Sequence, residues 1–220
     1  MNTRVIVPTL LLILLPAAAA AQTAPVEHAF TEPTERPGSA RPGPYVTLGL
    51  GGFGFDLDDE VADRFADLDI DLGETANGGS LAVGWSWSNE FALELRAGGG
   101  EVETANPDVE SIFGQLALAA RAPLAPRARV APYLEAALGF SVLGFTGDGI
   151  EDRALSGGHT GLGGGVEIHL HRRWAVDFGY QFSLIDFEQE TLSTTSGDRE
   201  IELDGSGRAH RFEVRTVFSF

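Results

Sequence analysis

The 220 residues carry 32 Asp and Glu against 15 Lys and Arg, for a formal net charge of −17, and contain no cysteine. That balance excludes nucleic acid as a partner, because phosphate binding needs basic patches. The missing cysteine excludes a disulfide scaffold, and no long apolar helical run follows the N-terminal stretch, which excludes a helical membrane protein.

The chain starts with MNTRVIVPTLLLILLPAAAAAQTA. Arg4, an apolar run from Val5 to Leu15 and an A-x-A site at Ala19 and Ala21 read as a signal peptide over residues 1–21, so export is expected. Residues 22–43 are rich in Pro and polar side chains without periodicity, and read as a flexible periplasmic lead-in. Residues 44–220 form the one folded domain.

Within that domain a period of two recurs. Val46, Leu48 and Leu50 alternate with Tyr45, Thr47, Gly49 and Gly51; Leu81, Val83, Trp85 and Trp87 alternate with Ala82, Gly84 and Ser86. The pattern returns at Phe91 to Ala97, at Ile112 to Arg121, at Leu134 to Ser141, at Leu162 to Leu170 and at Trp174 to Phe182. It closes with Phe212, Val214, Thr216, Phe218 and Phe220. Eight strands of about nine to eleven residues are predicted, the length a tilted strand needs to cross a bilayer. The links SN, APLAPRAR and HRR are short and alternate with long ones, from DLDDEVADRFADLDIDLGETANG to DFEQETLSTTSGDREIELDGSGRA. Short turns on one rim and long loops on the other are the habit of outer-membrane barrels.

A soluble barrel of lipocalin type would share the eight alternating strands. The non-apolar face decides against it: Gly, Ala and Ser with single charges suit a crowded lumen better than a water-facing surface. Two aromatic girdles are expected, Trp87, Phe91, Trp174, Phe218 and Phe220 near the short turns and Phe53, Phe55, Phe140, Phe145 and Phe182 near the other rim. The fold class is therefore all-β, an eight-stranded antiparallel transmembrane up-and-down β-barrel.

The segments PYLEAALGFS and RRWAVDFGYQFS and the closing VRTVFSF resemble the small outer-membrane barrels related to the transmembrane domain of outer-membrane protein A and to the opacity proteins. The resemblance covers residues 44–220 and implies residence in the outer membrane of a Gram-negative bacterium. It implies that the barrel-assembly machinery reads the terminal aromatic strand, with Phe218 and Phe220 in the assembly signal. The peptidoglycan-binding domain that some members carry after the barrel is absent, so cell-wall anchoring is not implied.

The polar face places Glu94, Arg96, Glu135, Glu167, Asp177, Glu213 and Arg215 in the lumen as one charged belt, with acids in excess over arginines. An ion-paired filling is the expectation; a narrow gated solute path is the alternative. Arg121, Arg127, Arg129, Arg172 and Arg173 read as a cluster at the short turns. The first long link is strongly acidic, but DLDIDLGE departs from a calcium loop, with Leu72 and Gly78 where Gly and Glu belong, so no metal or cofactor is expected. Lipid A deacylases, also eight-stranded, use a Ser and a His on one strand; His159 has no Ser two positions on, and none shares the run of Glu167 and His169, so no enzyme is expected. The role that follows is structural or interactive, by a monomer whose partners are outer-membrane lipids, lipopolysaccharide and the assembly machinery.

Overall fold

The computed structural model describes residues 42–59, 61–62, 72–88, 91–104, 109–126, 128–147, 152–194 and 197–220. The signal, the lead-in up to residue 41 and Asp67, Asp69 and Asp71 of DLDIDLGE lie outside the described residues. Eight strands follow one another: β1 (Gly43–Leu57), β2 (Leu72–Ser88), β3 (Phe91–Thr104), β4 (Val109–Pro123), β5 (Val130–Gly147), β6 (Asp152–His171), β7 (Trp174–Thr194) and β8 (Gly197–Ser219). Each pairs antiparallel with its sequence neighbours, and β1 pairs with β8 to close the barrel.

Hydrogen-bonded partners that start at Gly51 run through Gly78, Gly100, Phe113, Leu143, Leu155 and Glu190 to Ile201 on β8. Gly51 itself faces Glu213; that path crosses the bulges beside Ser156 and Phe187, and the circuit below them, which leaves Leu48 and returns at Ser206 against Thr216, climbs 10 residues. The strands are tilted accordingly, and residues level with one another are not direct partners. Gly51, Gly78 and Gly100 are consecutive partners for a steric reason: a Cβ on any of them would overlap the backbone of the adjoining strand. At the seam, the Phe220 amide donates to the Pro44 carbonyl at 3.1 Å, and the chain enters β1 through Gly43 at φ +140°, a conformation that favours glycine.

The strands run 14 to 23 residues, well past the nine to eleven expected. Segments read as long links are continuous wall: β6 starts at Asp152, and β7 and β8 persist to Thr194 and from Gly197. His159 lies inside β6.

The reason is a change of solvent partway up each strand. Near the short turns the outward face is apolar, with Leu48, Leu50, Trp85, Leu118, Leu134, Phe178 and Phe212 all between 40% and 76% exposed. Residues this apolar and this exposed, on every strand, form a band about 25 Å tall of the kind that faces hydrocarbon. Higher up the outward positions become Asp56, Glu101, Glu110, Asp186, Glu188, Glu202 and Asp204, all exposed. The inward positions there become apolar instead: Phe53, Phe113, Leu143, Phe145, Leu155, Ile185, Phe187 and Leu203 form one buried cluster, with Phe55 and Leu57 packed against it. The hydrophobic phase inverts while the strands run on. This corrects the second girdle: Phe53, Phe55 and Phe145 point into the barrel, and Phe113 meets Phe53 and Phe55 edge-on at 5.5 and 4.5 Å. Phe140 and Phe182 do face out. The lower girdle stands on the outer surface, where Trp174 contacts Phe218 at 4.3 Å and Trp87 contacts Phe91 at 6.0 Å.

Candidate functional site

The seven charged residues of the expected belt all project into the lumen, and the structure adds two more. Arg121, assigned by its sequence position to the short turns, is buried inside, and Arg211 joins the same layer. The excess of acid is therefore smaller than expected: Glu94, Glu135, Glu167, Asp177 and Glu213 meet Arg96, Arg121, Arg211 and Arg215.

Alternation aims these side chains inward, and the strand tilt brings distant strands level. Arg96 on β3 grips both oxygens of Glu135 on β5, at 2.9 and 2.7 Å, and its Nε reaches Glu94 at 2.8 Å. Arg121 on β4 crosses to Asp177 on β7, donates to Glu135 at 3.1 Å and lies over the Tyr133 ring at 4.1 Å. Arg215 donates to Asp177 at 2.9 Å and to the Tyr133 hydroxyl at 2.8 Å, while Tyr133 donates to Asp177 at 2.8 Å. Tyr45 donates to Glu94 at 3.2 Å, and Arg211 donates to Gln181, which also accepts from Arg96 at 3.2 Å. Such side chains are held by pairing and hydrogen bonds together, since neither alone offsets the loss of hydration.

The large groups fit because their neighbours are small. Ala117, Ala119 and Ala137 line one wall, and Gly49 another, where a Cβ would come 2.6 Å from Ser80 Oγ and 2.8 Å from Arg215 Cγ. Around Gly49, Thr47 Oγ1, Ser80 Oγ, Glu213 Oε1 and Arg215 Nε are buried without a hydrogen-bond partner among the described residues. Polar atoms grouped in this way are the setting for ordered water. Below the belt a cleft of about 60 Å³ opens at the short-turn rim between Tyr45, Arg121, Tyr133, Glu167 and His169. Glu167 is loosely held, 3.4 Å from His169 and 3.9 Å from Arg121.

Above the belt comes a thin polar layer. Ser141 Oγ lies 2.8 Å from His159 Nδ1 and accepts from Gln115 at 3.3 Å. The serine absent two positions after His159 is supplied instead by the neighbouring strand β5, a pairing that a pattern along one strand does not show. Both residues are buried, His159 Nε2 has no partner among the described residues, and the apolar cluster lies above.

Comparison with known proteins fits this architecture. A family model described as outer membrane protein beta-barrel domain matches residues 8–219. The chain belongs to that family. This outer-membrane barrel is similar in structure to neisserial surface protein A, with 16% identity, a TM-score of 0.56, and coverage of 81% of this chain and 97% of that one. It is also similar to the outer membrane protein AlkL, determined in lipid bilayers, at 13% identity and a TM-score of 0.54, covering 88% and 98% of the two chains. At these identities the likeness concerns the fold. No curated protein matches the chain. With the outer membrane as its location, the short-turn rim and the cleft face the periplasm, and the acidic upper wall stands outside the cell.

Proposed function

We propose that the protein is a closed surface barrel, with a structural and interactive role in the outer membrane, and that it acts as a monomer. One observation carries this reading: the lumen is filled twice in series, by the buried ion-paired belt and by the apolar cluster of Phe53, Phe113, Phe145, Ile185 and Phe187 above it. Eight strands leave room for side chains and little else. A path for solute has to undo both fillings, one electrostatic and one apolar.

Single-channel recording of the refolded barrel in planar bilayers tests this. Silence at moderate voltage is expected, and a steady ohmic current puts the narrow pore in its place. The Ser141 and His159 pair supports no enzyme in this reading, because it has no carboxylate behind the ring and faces an occluded lumen. Lipopolysaccharide incubated with the barrel should release no fatty acid. We also assign Phe218 and Phe220 to recognition by the barrel-assembly machinery. Phe220 is 70% exposed at the end of the closing strand, so its side chain adds little to packing. Deleting it should lower the yield of assembled barrel in cells while leaving export and in vitro refolding unchanged; normal assembly would withdraw the assignment.

A further inference from the structure

The outward face of β8 descends Asp204, Ser206, Arg208, His210, Phe212 and Val214, from the exposed upper wall to the apolar band. Arg208 and His210 sit at the transition. They lie opposite Leu184 and Phe182 on β7, the last apolar outward residues before Asp186. Elsewhere at this height the described outward side chains are acidic or neutral: Asp56, Glu101, Glu110, Asp186. The guanidinium of Arg208 and the imidazole of His210 therefore interrupt an acidic ring at the level where lipid headgroups begin.

Three features prepare this place for a ligand. Tyr180 lies 2.6 Å from His210 Nδ1, with Phe182 against the ring at 5.1 Å. With the hydroxyl donating to Nδ1, the remaining ring nitrogen, Nε2, carries a proton and is a donor. The β1 partners of Phe212 and His210 are Gly52 and Gly54, so no side chain covers the wall beside them. Across that bare strip stand exposed Asn77 and Thr75 of β2, the partners of Gly52 and Gly54. Arg208 is 63% exposed and approaches Asp56 only to 3.8 Å, so its guanidinium is not fully committed.

We propose that Arg208 and His210, with the glycine strip and Asn77 and Thr75, bind the phosphorylated sugar headgroup of an outer-leaflet glycolipid, its acyl chains lying on Leu50, Phe212 and Tyr180 below. A guanidinium beside a neutral imidazole N–H donor suits a phosphate, amide and hydroxyl side chains suit sugar hydroxyls, and the site continues directly into the lipid-facing band. The site rests on the barrel's placement in the membrane and is independent of whether the lumen conducts.

The test uses the full refolded barrel in detergent micelles, with native mass spectrometry reading retained lipid A, dephosphorylated lipid A or phosphatidylglycerol. The wild-type barrel should retain phosphorylated lipid A about tenfold better than the dephosphorylated form, and the Arg208→Gln, His210→Gln double variant should lose that preference. Arg199→Gln, an exposed cation higher on β8, should bind as the wild type does, and Asp56→Asn should bind more tightly. All variants should keep the boiling-dependent gel shift of a folded barrel. Equal retention by the double variant, or no effect of removing the phosphate, overturns the site. Phosphatidylglycerol retained as well as lipid A reduces it to a general anionic-lipid contact and overturns the sugar assignment.

Discussion

Arg121→Met is expected to destabilise the barrel by about 3 to 5 kcal/mol, the range for removing one partner of a buried ionic network. Arg121 touches Asp177 and Glu135, stands 3.9 Å from both Glu94 and Glu167, and covers the face of Tyr133. Without it, five acids share three arginines, and Asp177, with a fully buried side chain, keeps only Arg215 and Tyr133. Methionine fills much of the volume, so the loss is electrostatic rather than a cavity. The measurement is the urea midpoint of the barrel in lipid vesicles, followed by tryptophan fluorescence. Arg121→Lys should recover part of the loss, since it restores charge without the planar fork that reaches several carboxylates at once. A midpoint for Arg121→Met equal to that of the wild type would mean that water already neutralises the belt.

The second large effect lies on the other face of the wall. Leu138→Arg places a cation in hydrocarbon, where the cost is about 2 to 4 kcal/mol at the midplane and falls toward either interface. Leu138 is 61% exposed on β5, between Leu118 and Thr160 of the adjoining strands. Its neighbour Ala137 points the opposite way, into the wall of small residues with Ala117 and Ala119. Ala137→Ser should therefore refold like the wild type, whereas Leu138→Arg should leave much of the chain without a boiling-dependent gel shift. Equal tolerance of the two changes would remove the assignment of the outward face to lipid.

The contrast between adjacent residues was legible from the sequence because a period of two needs no partner. The same rule put Glu94, Arg96, Glu135, Glu167, Asp177, Glu213 and Arg215 on the inward face. What a single strand does not encode is its height against the others. Arg121 is near the end of β4 and reads as a turn residue, yet the stagger of 10 residues brings it level with Asp177 and Glu135. Ser141 escaped for the same reason, since its meeting with His159 is a matter of β5 and β6 register. The girdle error has another source. In LGLGGFGF the apolar set passes from Leu48 and Leu50 to Phe53 and Phe55, from even to odd positions, and LIDF does the same from Leu184 to Ile185 and Phe187. Read as rim residues, these phenylalanines suggest a girdle; read as a change of phase, they mark where lipid gives way to water.

That change of phase bears on the membrane itself. A barrel whose upper wall was simply apolar could ride higher or lower as lipid thickness varied. Here sinking would carry Asp56, Glu101 and Asp186 into hydrocarbon, and rising would strip lipid from Leu50, Leu184 and Phe212 while drawing Arg172 and Arg173 of the short turn toward it. Both displacements are uphill, so the surrounding lipid stretches or thins to meet the protein. The inversion acts as a fixed waterline, and the barrel sets the local thickness of the bilayer that holds it.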